Sequence, residues 1–246
     1  MRKILIALGI IAVAAIAGVA VVEMRATPKP SPSAAAAPSS FVDAPILPYK
    51  VFPEDRVMGS PNAPVTIIEY ASFTCPHCAH FDTEVLPAVK APLIDSGKAR
   101  LVFRDYPLDA LALRAAMLVR CAGPERAFGM IDLLFQRQVA WATAQDPRAG
   151  LLGIANQAGM SEADFNACMD NKTVQDAVVQ SRVTAEQSYK IQSTPSFLIN
   201  GRLVVGAPQP AELVQLVDSL VTGGAPAPAP APAPSSSSSP SSTPER

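Results

Sequence analysis

The sequence predicts an α/β fold built from a β-α-β segment, a helical block and a β-β-α segment. Three observations carry that expectation. Val65-Thr-Ile-Ile-Glu-Tyr70 and Arg100-Leu-Val-Phe103 are short β-branched and aromatic runs on either side of a stretch with helical spacing. From about 107 to 190 the apolar residues keep a helical period. Asn200-Gly201 then separates two short apolar runs, the strongest short-range hairpin signal.

The elements follow in order. Val65–Tyr70 reads as a buried strand. Cys78 to about Ile94 reads as a helix, because Phe81, Val85 and Val89 recur every four residues on one face. Pro87 interrupts that pattern and should kink it. Asp95-Ser-Gly97 ends it, and Arg100–Phe103 is the second strand, so the crossover should be right-handed. Helical segments follow near 110–122, 125–137, 148–158, 162–169 and 173–189. Ser161-x-x-Asp164 has the form of an N-terminal capping pattern. Ser196-Phe-Leu-Ile199 and Arg202-Leu-Val-Val205 form the hairpin, and Pro210 to Leu220 is a final amphipathic helix. One sheet drawn from both halves, with helices on its faces and a helical insertion between the halves, is the packing this order demands.

Composition narrows the function. The chain has 246 residues, 49% hydrophobic and 17% charged, which excludes a wholly disordered chain or a coiled coil. A net charge of -1 gives no electrostatic basis for general nucleic-acid binding. Thirteen of the 25 prolines lie outside residues 49–222, which marks that stretch as the folded domain. Arg2 and Lys3 precede nineteen apolar residues, Ile4 to Val22, the pattern of an export signal. As a helix these span roughly 28 Å, close to a bilayer core, so residues 1–26 are either a retained anchor or a signal cleaved after Ala20. Either way the bulk of the chain is expected in the periplasm or cell envelope. Residues 27–48, with six prolines, read as a semi-extended linker, and the Ala-Pro and serine tail over 223–246 reads as disordered.

The chemistry concentrates at Cys75-Pro76-His77-Cys78. Both histidines, His77 and His80, and two of the four cysteines fall within residues 75–80. At a strand-to-helix turn, this spacing lets two sulfurs close a small ring. Cys75 at the helix N-terminus faces free N–H groups and the positive dipole end, which stabilise a thiolate. A stabilised thiolate makes the disulfide form a stronger oxidant. Pro76 fixes the turn, and His77 can add positive charge or a hydrogen bond. A zinc site needs about four ligands, and only Cys75, Cys78 and one histidine are at hand. Covalent haem needs histidine directly after the second cysteine, where Ala79 stands. An inert structural disulfide is the remaining alternative to redox chemistry.

The run Glu69-Tyr-Ala-Ser-Phe-Thr-Cys-Pro-His-Cys78 followed by Phe81, with Thr194-Pro195-Ser-Phe-Leu-Ile-Asn-Gly201 in the second half, resembles the DsbA family of bacterial thiol-disulfide oxidoreductases. The resemblance covers roughly residues 50–220. It implies a thioredoxin fold with an inserted helical domain and no cofactor beyond the redox-active disulfide. It further implies that Cys75 is the exposed attacking and acceptor sulfur and that Cys78 is its buried partner. His77 would tune the potential, Glu69 would be a buried acid relaying protons, and Pro195 a cis-proline beside the sulfurs. The implied partners are unfolded or reduced exported proteins and a DsbB-like membrane reoxidant. Thr194 departs from the valine of the best-known strong oxidases and is more typical of isomerase relatives, so the resemblance leaves an isomerase or reductase as the alternative activity.

Cys121 and Cys168 lie on separate helical segments of the insertion. An even cysteine count in an exported chain favours a structural disulfide between them, with two reduced buried thiols as the alternative.

Overall fold

The computed structural model describes residues 45–223. The expected signal or anchor over 1–26, most of the expected linker over 27–48 and nearly all of the expected tail over 223–246 lie outside the described residues. Among the described residues no helix is long and apolar enough to cross a membrane.

Among the described residues five strands form one mixed sheet: β1 (Arg56–Met58), β2 (Val65–Ala71), β3 (Ala99–Asp105), β4 (Ser196–Ile199) and β5 (Arg202–Val205), in spatial order β1-β3-β2-β4-β5. β2 and β3 run parallel, as a strand-helix-strand crossover requires, and the other pairs are antiparallel. β2 is buried along its whole length, which accounts for its unbroken apolar and β-branched character. This is the thioredoxin-type α/β fold with a helical insertion.

β1 has no counterpart in the sequence expectation. It is three residues long, begins with arginine and carries no alternation a pattern could expose. Arg56 is buried and donates to Asp105 at 2.8 Å, and Asp105 also accepts from Arg120 at 2.7 Å. This charged junction ties β1 to β3 and to the insertion. Residues 45–48, read from sequence as the end of the linker, also pack: the Leu47 N–H donates to the Gly201 carbonyl at 2.8 Å.

The helix expected from Cys78 to about Ile94 is four short segments. α1 (Pro76–His80) runs into a wide π turn (Phe81–Val85), then α2 (Leu86–Val89) and a second π turn (Lys90–Asp95). Pro87 and Pro92 each lack the N–H that the carbonyl four residues earlier would bind, so the backbone widens around both. The Leu86 N–H reaches back five residues to the Phe81 carbonyl.

The insertion is α3 (Ala110–Ala122), α4 (Pro124–Gln136), α5 (Gln138–Ala142), α6 (Pro147–Gln157), α7 (Glu162–Met169) and α8 (Lys172–Tyr189). α9 (Pro210–Thr222) closes the chain, with a capping box between Gln209 and Glu212. On one sheet face, Val65, Ile67 and Phe197 pack with Phe81, Val89 and Leu213 from the 76–95 segment and α9. On the other, Ile68, Tyr70 and Leu198 pack with Ala185 and Tyr189 of α8. Cys75 and Cys78 belong to a third cluster, shared with Phe73, Phe135 and Trp141 of the insertion. The Cys75–Cys78 turn therefore sits where sheet and insertion meet.

Candidate active site

Strand β2 ends at Ala71, and the chain turns through Ser72–Thr74 into α1. Cys75 is the N-cap residue with extended backbone, and Pro76 occupies the first helical turn, where a missing N–H costs nothing. The Ala79 N–H donates to the Cys75 carbonyl at 3.2 Å, closing the first turn. Thr74 Oγ1 donates to Asp109 at 2.6 Å, while the other Asp109 oxygen caps α3 through the Ala112 N–H at 2.8 Å.

Cys75 and Cys78 are both reduced thiols. Their environments push them apart. The Cys78 thiol donates to the Cys75 sulfur and is the main influence lowering the Cys75 pKa to about 5; burial opposes it. The Thr194 side chain and the backbone N–H groups of Cys78 and His77 stabilise the thiolate further. Burial pushes the Cys78 pKa far up, and the hydrogen bond to Cys75 and the nearby Glu69 charge add to it.

One expectation needs correction. Cys75, expected to be the exposed sulfur, is not exposed: it retains 6% of its surface and Cys78 none. The cause is the loop before β4, where the Thr194–Pro195 peptide is cis and the Cys75 thiol donates to the Thr194 carbonyl at 3.4 Å. The Thr194 hydroxyl is buried and, among the described residues, has no partner in hydrogen-bonding geometry. It is therefore free to donate to the Cys75 thiolate when one forms.

His77 and His80 are exposed on α1. Neither ring makes a hydrogen bond to a described residue, and His77 supports the thiolate through its backbone N–H. Glu69 is 1% exposed. Its neighbours in register are Phe103 on β3 and Phe197 on β4, which offer no donors, and its Oε1 has no partner. Burial, then the Asp82 and Cys75 charges, raise its pKa well above the usual carboxylate value, which favours a neutral acid.

Sequence reasoning missed two residues here. Asp82, at the first π turn, is buried and lines a cavity of about 340 Å³ with Asp132, Lys90 and Phe128. Burial, then the Asp132 charge, lifts its pKa to about 7. Gln138 reaches from the insertion to the redox turn. Neither carries a local signal, since both read as ordinary polar positions on helices. In the insertion, Cys121 and Cys168 are joined by a disulfide linking α3 to α7.

Residues 52–219 match the family described as Thioredoxin. The α-DsbA1 structure of Wolbachia pipientis is 31% identical, with a TM-score of 0.66, covering 70% of this chain and 94% of that one. This chain belongs to the DsbA family of thiol-disulfide oxidoreductases. The oxidised BdbD of Bacillus subtilis, at 19% identity and a TM-score of 0.64, covers 74% of this chain and 100% of that one and shares the fold. A Rickettsia typhi protein whose name places it among the protein-disulfide oxidoreductases is 30% identical over 154 residues, 62% of this chain. The match spans 57% of that relative's length.

Proposed function

We propose that this protein is a thiol-disulfide oxidoreductase of the cell envelope that introduces disulfides into exported proteins through the Cys75–Cys78 pair. The observation that supports it most is the split between the two thiols: Cys75 is lowered to about 5 and Cys78 is raised by burial. One sulfur is a stable thiolate and a good leaving group, and the other is held as a thiol.

The working form carries the Cys75–Cys78 disulfide. A substrate thiolate attacks Cys75 Sγ, the Cys75–Cys78 bond breaks, and a mixed disulfide forms. Cys78 leaves and takes a proton, which Glu69, kept neutral by burial, supplies. A second substrate thiolate then attacks the substrate sulfur of the mixed disulfide. Cys75 departs as a thiolate, and the substrate has lost two electrons to the pair. Pro195 and Thr194 line the position of the incoming sulfur, and His77 stands exposed at the rim. No cofactor takes part. The electrons are passed on to a DsbB-like membrane protein, and residues 4–22 keep the enzyme at that membrane or direct its export. Cys75→Ser should abolish oxidation of a reduced unfolded protein; unchanged activity would overturn the reading.

Thr194 favours a second reading, a disulfide isomerase or reductase. Equilibration with glutathione buffers separates the two. A potential near about -120 mV supports the oxidase, and one near about -180 mV or lower supports the alternative.

A further inference from the structure

Two backbone carbonyls of the Cys75 turn are held from outside by one side chain of the insertion. Gln138 Nε2 donates to the Phe73 carbonyl at 2.9 Å and to the Cys75 carbonyl at 3.0 Å. Gln138 is 8% exposed, and these acceptors lie 65 and 63 residues before it. Both partners are carbonyl oxygens, so only an –NH₂ group serves both at once, and the orientation of the amide is forced.

Its placement is anchored as well. Gln138 begins α5, and Trp141, one turn later, is 1% exposed and donates its indole N–H to the Leu134 carbonyl at 2.7 Å. α6 packs so closely on α5 that a Cβ at Gly150 would lie 3.0 Å from the Trp141 Cα. A buried tryptophan thus fixes the helix, and the helix presents the amide.

We propose that Gln138 is a positioning residue for the redox reaction: it binds the carbonyls on both sides of Thr74 and so keeps the Cys75 sulfur against the Thr194 carbonyl and over the first N–H groups of α1. The proposal rests on the reading of Cys75 as the reacting sulfur. A carbonyl oxygen next to a thiolate opposes its charge, and an amide that occupies the oxygen weakens that opposition. Without Gln138 the Phe73 oxygen loses this buried donor and can turn toward the sulfur, while the Cys75 carbonyl keeps only the Ala79 N–H.

The test uses the full chain, reduced, with Cys75 alkylation by iodoacetamide followed against pH and localised by mass spectrometry. This reads the thiolate directly, whatever protein the enzyme acts on. Gln138→Leu should move the midpoint of the profile upward and slow oxidation of a reduced peptide about tenfold, within the scale of the two hydrogen bonds lost. Gln138→Glu keeps one O–H donor while its carboxyl is neutral and has none when ionised. Its alkylation rate relative to the parent protein should therefore fall as pH rises. A folded Gln138→Leu protein with the parent profile and a peptide rate within about twofold would overturn the proposal. If that variant does not fold, a flat rate ratio for Gln138→Glu would do the same. Should Cys75→Ser retain full protein-oxidising activity, the functional reading fails, and the alkylation profile still decides the role of Gln138.

Discussion

At Cys75 the protein sets a thiol's acidity first with the neighbouring Cys78 thiol, then with one hydroxyl and two backbone N–H groups. The Thr194 hydroxyl is buried, partnerless while Cys75 is a thiol, and able to donate to the thiolate. Thr194→Val should therefore raise the ionisation midpoint of Cys75 above about 5 with little loss of stability, as read by thiolate absorbance during a pH titration. Because the folded pKa is depressed from 9.0, reduced Cys75 adds most to folding stability above its unfolded pKa. That contribution is lost as pH falls toward 5. Asp82 carries the opposite sign: its pKa rises from 3.8 to about 7 on folding. Its burial costs nothing below 3.8, and the cost grows as pH climbs to 7. Asp82→Asn should accordingly raise the melting temperature at pH 8 and leave it nearly unchanged at pH 3, measured by calorimetry.

Among the elements, those made by short-range pattern were legible and those made by distant contacts were not. β2, β3, the Asn200-Gly201 hairpin and α9 each announce themselves within ten or so residues, because burial on a strand or a helix face imposes a period. β1 is shaped by Asp105, 49 residues further on, and no period marks it. Proline was read at Pro87 as a kink, whereas Pro87 and Pro92 together widen two turns. The site followed the same rule. Cys75 and Cys78 could be read from their spacing, but the loop that hides Cys75 lies 119 residues away, and the amide that holds the turn lies 63 residues away. At the hairpin, Gly201 has φ +84°, and an added Cβ would lie within 2.4 Å of the Leu47 carbonyl oxygen, inside van der Waals contact. Gly201→Ala should destabilise the protein by more than about 1 kcal/mol, combining a left-handed backbone with that clash, and urea titration would show it.

Over the whole molecule, one bond braces the insertion and a handful of contacts join it to the sheet. Cys121 and Cys168 are 47 residues apart in sequence. On the chain-entropy account, Cys121→Ala/Cys168→Ala should lose up to about 4 kcal/mol in chemical denaturation. Cys75 ionisation should stay in place, because neither sulfur contributes to the Cys75 environment. A matching shift in Cys75 would show that the pair communicates with the redox turn as well as bracing α3 against α7.

The contact between Cys75 and Thr194 also has a history in time. Translation delivers Cys75 first and the shielding loop 119 residues later. At about 5–20 residues per second that gap lasts on the order of ten seconds. The two thiols are therefore made well before the loop that covers them in the folded chain. Until that loop arrives, neither Cys75 nor Cys78 has the cover that the folded chain gives it.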